Sequence, residues 1–440
     1  MDQAVILAGG QGKRMHTKLP KPLLKVLDEP MLEWVLRACE SAGIERICVV
    51  KGYGAEKTEE YLNGRCTTVM QEERLGTGHA VMQAENFIKE NVEGSTLVLC
   101  ADAPFMDTET IVKSLEYHKE SGNAVTVITA EVDNPTGYGR ILRNESGIFG
   151  IVEEKDASVS QKDIKEINSG AYWFKSADMP ELLAALNQGK KAGAYKSANK
   201  EVILGANDRK GMLELNKIAR ENILNKHMEN GVCFTCTDGI TIGRDVEIGA
   251  GTEILPGTIL RGKTKIGCDC VIGPNCLIED SEIGDNVTLN YVQSYDSVVE
   301  DDVKIGPFVQ LRPNSHICEG VKIGDFVEIK NSTIGKKTAV AHLTYVGDSD
   351  VGSKVNFGCG VVTVNYDGIN KSRCKIGDGC FIGCNTNLIA PVTLGDGVYT
   401  AAGSTITKDV PDYALAIERG KQAIKENYSQ KKLGNRLKKD

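Results

Sequence analysis

The sequence predicts an α/β protein in two parts, a Rossmann-like sheet domain followed by a left-handed parallel β-helix of hexapeptide repeats. Two observations carry this. Residues 1–180 alternate strand-like and helix-like segments, as a mostly parallel sheet with helices on both faces requires. From Gly239 to Lys408, aliphatic–glycine pairs recur at Ile242, Ile248, Ile266, Ile272, Ile305, Ile323, Ile376, Ile382 and Leu394. Several gaps between these are six (248−242, 272−266, 382−376) and three are eighteen (266−248, 323−305, 394−376). Six is neither an α-helical nor a coiled-coil period; it fits one side of a triangular prism, with eighteen residues making one coil. The aliphatic residues then stack in an axial core, while glycine and small polar residues take the corners, where positive φ is cheap. The gaps of 11 (272 to 283) and 25 (351 to 376) predict loops projecting from corners.

Bulk properties narrow the function. A 440-residue chain, 41% hydrophobic and 25% charged, is long enough for two or more domains with real cores. A net charge of −8 argues against a general nucleic-acid or membrane binder. No apolar run approaches a membrane span, and Met1-Asp2-Gln3 leads straight into Ala4-Val5-Ile6-Leu7 without a signal peptide. Fourteen cysteines are then expected as reduced thiols in a cytoplasm. Cys233 and Cys236 have the spacing of half a zinc site, but no second pair follows.

In the first part, Gln3–Ala8 reads as a buried strand, Met31–Ala42 as a helix, Glu45–Val50 and Thr96–Cys100 as strands, and Asp107–Ser121 as a helix. Ligands of such sheets bind beyond the carboxyl ends of strands. The first loop there is Leu7-Ala-Gly-Gly-Gln-Gly-Lys-Arg-Met15, followed by Leu19-Pro-Lys21-Pro. It is not a P-loop, because Leu7 holds the first-glycine position and Arg14 follows Lys13; nor is it a dinucleotide fingerprint, because Met15 stands at the third glycine. Gly9, Gly10 and Gly12 nevertheless let backbone N–H groups approach an anion, and Lys13, Arg14 and Lys21 add positive charge, which suits a triphosphate. Asp102, just past a strand, is a natural magnesium ligand or, alternatively, a helix N-cap. Arg209 to Glu229 has near-helical apolar spacing and reads as a linker helix. The domains expected are therefore 1–208, a linker helix over 209–231, the β-helix over 232–420, and a basic tail over 421–440.

The whole string from Leu7 to Lys21 resembles the signature of sugar-1-phosphate nucleotidylyltransferases. In the second part, Gly306 to Pro313, Phe326 to Lys330, Ala341 to Asp348 and Val362 to Lys371 follow in one order. With the first part, these motifs resemble the bifunctional N-acetylglucosamine-1-phosphate uridylyltransferase/glucosamine-1-phosphate N-acetyltransferase family, over nearly all of residues 2–420.

The resemblance implies two consecutive reactions: acetyl transfer from acetyl-CoA to glucosamine-1-phosphate, then uridylyl transfer from UTP with release of pyrophosphate. It implies Leu7, Gly9, Gly10, Lys21, Gln71, Gly76, Thr77, Gly139, Glu153 and Asn168 at UTP or the UDP-sugar, Arg14 and Lys21 as catalytic groups, and Asp102 and Asn207 on Mg2+. It implies His342 as general base, Arg312, Lys330, Tyr345 and Asn356 at the sugar phosphate, and Cys359, Asn365, Tyr366, Cys384, Ala402 and Arg419 at acetyl-CoA. Lys371 would serve the sugar phosphate or the coenzyme. Acetyl sites shared between β-helices imply a homotrimer, with small-molecule substrates and neither nucleic acid nor membrane as partner.

This chain departs from the family pattern at several points. Gly9 stands where alanine is common, Lys21-Pro-Leu-Leu-Lys25 replaces a Lys-Val-Leu-His run, Cys384 replaces serine and Cys359 alanine. The stretch between Asn168 and Asn207 is short, with Asn187 to Tyr195 in place of a longer segment. The alternatives are a nucleotidylyltransferase for another sugar-1-phosphate joined to an acetyltransferase or structural β-helix, and a non-catalytic regulatory subunit of the same fold.

Overall fold

A computed structural model describes residues 1–73, 75–145, 147–179 and 191–434. Part of the shortened stretch (180–190) and the last six residues of the basic tail lie outside the described residues. The chain forms two compact units, Met1–Asn222 and Ile223–Asp440.

The first unit is built on a sheet whose main path runs Ala192–Lys196, Val125–Glu131, Glu166–Lys175, Ser95–Cys100, Gln3–Ala8, Arg46–Lys51, Thr67–Met70. Gln3–Ala8 is parallel to both neighbours, and Glu166–Lys175 is antiparallel to both of its own. Alternation along Gln3–Ala8 explains its central place. Ala4, Ile6 and Ala8 enter one core with Leu32, Leu36 and Ile111; Val5 enters another with Ala80, Val81 and Phe87. A strand buried on both faces reads as a continuous apolar run. Helices Met31–Ser41 and Thr108–Ser121 form as expected, the latter capped by Asp107, whose carboxylate accepts from the Thr110 N–H at 2.7 Å. The helix Arg209–Glu229 divides its contacts. Met212, Leu215 and Ala219 belong to a core of the first unit, and Leu224 to that of the second.

The second unit is a prism of three parallel sheets of 10, 9 and 10 strands, consistent with a left-handed β-helix. Equivalent residues pair from coil to coil: Ile242 with Leu260, Leu260 with Ile278, Leu311 with Ile329, Ile329 with Val346. All are essentially inaccessible, and each such side chain contributes roughly 1.5–3 kcal/mol.

Two expectations are corrected. No loop projects between Ile272 and Ile283; the strand Leu277–Glu279 fills that gap, and the coil is shortened so that Lys265 pairs with Glu282. Leu277-Ile278-Glu279 lacks the glycine that marks other sides, so its hexad was invisible to the aliphatic–glycine pattern. The corners are also not confined to small residues: Tyr291, Phe308, Phe326 and Leu343 all have positive φ. The longer gap does hold an insertion: Val351 pairs with Ile376, 25 positions on, and a Tyr366–Lys371 bridge closes the loop. All 14 cysteines are free thiols. Among the described residues no helix is long and apolar enough to cross a membrane.

Candidate active sites

In the first unit the site follows from strand order. Gln3–Ala8 and Ser95–Cys100 are neighbours with Leu7 opposite Cys100, so the glycine loop and Asp102 leave the sheet side by side. The loop needs glycine for close approach: a Cβ on Gly9 would lie 2.9 Å from Gln71 Oε1. Gly12, at φ 57°, turns the chain into the short helix Lys13–Met15. Leu7, Gly9, Gly10, Lys21, Gln71, Gly76, Thr77 and Asp102 line one cavity of about 300 Å³.

Lys21 is buried within it, and its ammonium donates to Asp102 Oδ2 and, at 3.2 Å, to Asn207 Oδ1. Asp102 is therefore not a helix cap; that part falls to Asp107. Two hard oxygen donors, one of them charged, converge on a point where an ammonium already sits, an arrangement that fits a small oxygen-seeking divalent cation. Gln71 Nε2 donates to the Gly76 carbonyl at 3.2 Å, tying the loop after Thr67–Met70 to the helix that begins at Thr77. Arg14 is exposed and does not line the cavity. Gly139, Glu153 and Asn168 gather elsewhere: a Cβ on Gly139 would meet Glu153 Oε1 at 3.2 Å, and the Asn168 N–H donates to the Gly139 carbonyl at 2.9 Å.

The second unit assembles its groups by stacking. His342 pairs in register with Asp325 one coil earlier, and His342 Nδ1 lies 2.7 Å from Asp325 Oδ1. A carboxylate acceptor there fixes the ring proton on Nδ1 and leaves Nε2 as a base. The hydrogen bond from His342 holds the Asp325 carboxyl below the usual range. Asp325 was not singled out in the sequence; its position seventeen residues before His342, one coil earlier, was the available signal.

From His342 a ladder continues along one corner. The His342 carbonyl accepts from Gly360, that of Cys359 from Asn385, and that of Cys384 from Gly403. The ladder thus runs through His342, Cys359, Cys384 and Ala402 on successive coils, and Arg419 Nη1 donates to the Ala402 carbonyl at 3.1 Å. Three steps of about 4.8 Å give an edge roughly 14 Å long. Asn356 is exposed on an adjoining side.

On the face that follows, Lys330 and Lys371 come so close that the second ammonium holds the first below the ordinary lysine range, with burial and Arg312 adding to it. Arg312 Nη1 donates to Glu328 Oε1 at 2.8 Å. Asp348 feels the charge of both lysines. Burial pushes its carboxyl up, but hydrogen bonds from the Asn331 and Asn365 amides, with both lysines, bring it below the usual range. Asn365 is accordingly buried and turned inward, while Tyr366 is exposed, its hydroxyl donating to the Gly368 carbonyl at 2.6 Å. A cavity of about 620 Å³ on the same side of the prism is lined by Tyr345, Glu328, Phe326 and Leu343, but not by Arg312, Lys330 or Lys371.

Residues 3–214 match the nucleotidyl transferase family, and residues 296–331 and 373–408 match the bacterial transferase hexapeptide family of six repeats. The chain is similar to the bifunctional protein GlmU of Acetivibrio thermocellus (46% identical, covering 98% of this chain and 97% of that protein). Similar proteins of the same name occur in Caldanaerobacter subterraneus subsp. tengcongensis (48% identical, 98% of each chain) and Geobacillus sp. strain WCH70 (46%, 97% of each).

Proposed function

Since the chain belongs to the family of bifunctional GlmU proteins, we propose how its residues divide the two reactions between them. The chain is a bifunctional transferase: it acetylates glucosamine-1-phosphate from acetyl-CoA, and joins N-acetylglucosamine-1-phosphate to UTP with release of pyrophosphate.

For uridylyl transfer, the glycine loop and Lys21 hold the triphosphate, Gln71, Gly76 and Thr77 face the base, and Gly139, Glu153 and Asn168 face the sugar. Two anions must meet, so neutralising their charge is the central task. Divalent metal use goes with the nucleotidyl transferase half, and we assign Mg2+ to Asp102 and Asn207, which would hold the ion; it would supply neutralisation of phosphate charge. Lys21 would meet the phosphates from the cavity wall, and Arg14 from the exposed loop. The convergence of Lys21, Asp102 and Asn207 carries this reading.

For acetyl transfer, His342 Nε2 takes a proton from the amine of glucosamine-1-phosphate as it attacks the thioester, and Asp325 steadies the imidazolium. Lys330, Lys371 and Arg312, with Tyr345 and Asn356, hold the phosphate. Cys359, Cys384, Ala402 and Arg419 lie along the extended coenzyme, with Tyr366 at its loop; the Asn365 side chain, buried against Asp348, supports that loop and does not face the coenzyme. Bringing the two substrates together supplies the proximity term without a covalent acetyl-enzyme.

A homotrimer completes this site. Tyr291, Phe308, Phe326 and Leu343 form an exposed apolar ladder beside His342, with ring centroids 5.1 and 5.3 Å apart from Tyr291 to Phe308 to Phe326. Closed threefold packing would bury such a stripe. Phe326→Asp should yield monomers by sedimentation and lose acetyl transfer; monomeric wild type would exclude the trimer. A cytoplasmic location accords with the 14 free thiols.

The deciding experiment supplies the purified protein with glucosamine-1-phosphate, acetyl-CoA, UTP and magnesium, then with each substrate pair separately. Formation of UDP-N-acetylglucosamine supports the whole reading. A sugar nucleotide formed only with another sugar-1-phosphate would instead favour altered specificity in the first unit, where the 168–207 stretch is short.

A further inference from the structure

We propose that Glu300, His316 and Cys318 form a binding site for a zinc-like divalent cation on the flank of the β-helix, distinct from both transfer sites. The register that pairs Val298 with His316 and Val299 with Ile317 sets Glu300 opposite Cys318 on the next coil. Along this side Ser315 and Ile317 point into the core, so His316 and Cys318 share the outward phase. The three side chains are half-buried, and their ligand atoms all lie within 4.8 Å of one another. Among the described residues this is the one such grouping of three.

The geometry needs little adjustment. His316 Nε2 is 2.8 Å from Glu300 Oε1. Donors bonded to tetrahedral zinc at ~2.0–2.3 Å stand roughly 3.3–3.8 Å from one another, so a modest opening admits the ion. Glu300 is already oriented, because its Oε2 accepts from the Glu319 N–H at 2.9 Å, the kind of outer support that metal ligands use. The nearby Lys336 ammonium is engaged by Glu319 at 2.8 Å. A set of one imidazole, one thiolate and one carboxylate selects a borderline cation over magnesium or calcium, and leaves a fourth position for water. On binding, the Cys318 thiol gives its proton to solvent as the S–metal bond forms, and His316 carries its ring proton on Nδ1 so that Nε2 coordinates. No redox change is involved. The bound ion would join two coils through residues 16 and 18 positions apart.

The test uses full-length protein stripped with chelator, then loaded with zinc chloride or cobalt chloride and desalted. Wild type should retain about one more zinc per chain than Cys318→Ser or His316→Gln, as a three-ligand site requires. The cobalt form should show a thiolate charge-transfer band that Cys318→Ser lacks. Zinc should slow alkylation of Cys318 by roughly tenfold or more while leaving exposed Cys268 unaffected, since a metal-bound thiolate is withheld from the reagent. Both variants should keep both transfer activities, which reports an intact fold. A Cys233→Ser/Cys236→Ser double variant should retain the zinc. Equal zinc in wild type and Cys318→Ser, unchanged Cys318 alkylation, or loss of zinc only in the double variant would each overturn the proposal.

Discussion

The two units build their sites in opposite ways. In the first, Lys21, Asp102 and Asn207 are 81 and 186 residues apart and meet only because the sheet order brings their loops together. In the second, His342 and Asp325, or Asp348 with Asn331 and Asn365, are each 17 residues apart, one coil of the prism. The first site is a cavity beside buried strands; the second is a shelf of stacked side chains, exposed at His342 and buried at Asp348 and Asn365. A catalytic group in the first unit therefore depends on a whole domain, whereas one in the second depends on its neighbouring coils and, in our reading, on a partner subunit.

The contrast can be broken where it is sharpest. Asp102→Asn should cut uridylyl transfer by about 10²–10³ in kcat, the scale of losing one well-placed electrostatic group, with acetyl transfer unchanged. A comparable fall in both reactions would mean that the sites are coupled.

Asp325→Ala should lower acetyl transfer by about ten- to a hundredfold, because His342 remains but its ring is no longer held; part of the general-base effect survives. Steady uridylyl transfer in the same preparation would place the damage on the shelf. Wild-type acetylation would deny Asp325 its orienting part.

Lys371→Ala should raise KM for glucosamine-1-phosphate by roughly tenfold, as loss of one charge-assisted contact to phosphate does. It should also move the alkaline limb of kcat/KM. Lys371 holds the free-enzyme Lys330 below the ordinary lysine range. In wild type, then, Lys330 loses its proton, and with it the phosphate contact we propose for it, at lower pH than an isolated lysine. Removing Lys371 lets the Lys330 pKa rise, so the limb should shift to higher pH; a shift to lower pH would contradict the pairing.

The smallest effect probes the core. Ile329→Val, at a fully buried rung, should cost about 0.5–1.5 kcal/mol in denaturant unfolding of the β-helix, and should leave uridylyl transfer intact.

What the sequence made legible follows the same division. Eight of the residues assigned to the nucleotide side line one cavity, because a glycine loop and a strand-end carboxylate keep their local signature. Its link to Asn207 is a long-range fact with no periodicity to reveal it. In the prism, the six-residue period disclosed the architecture, yet it hid the side Leu277–Glu279, which ends without glycine, and the turned-in Asn365. Asp325 required counting back by a coil from His342, and the Lys330–Lys371 pairing by two coils, where shortened coils and the insertion that carries Lys371 shift the register. The bulky ladder at Phe308 and Phe326 ran against the expectation of small corner residues, since positive φ disfavours large side chains.

The most direct test of the central claim measures both partial reactions of His342→Ala across pH 6–9. Acetyl transfer should fall by about 10²–10⁴ in kcat, while uridylyl transfer and the assembled mass stay at wild-type values. Acetylation at the wild-type rate throughout that range would contradict the assignment of His342 as the base, and with it the shelf as the acetyl-transfer site.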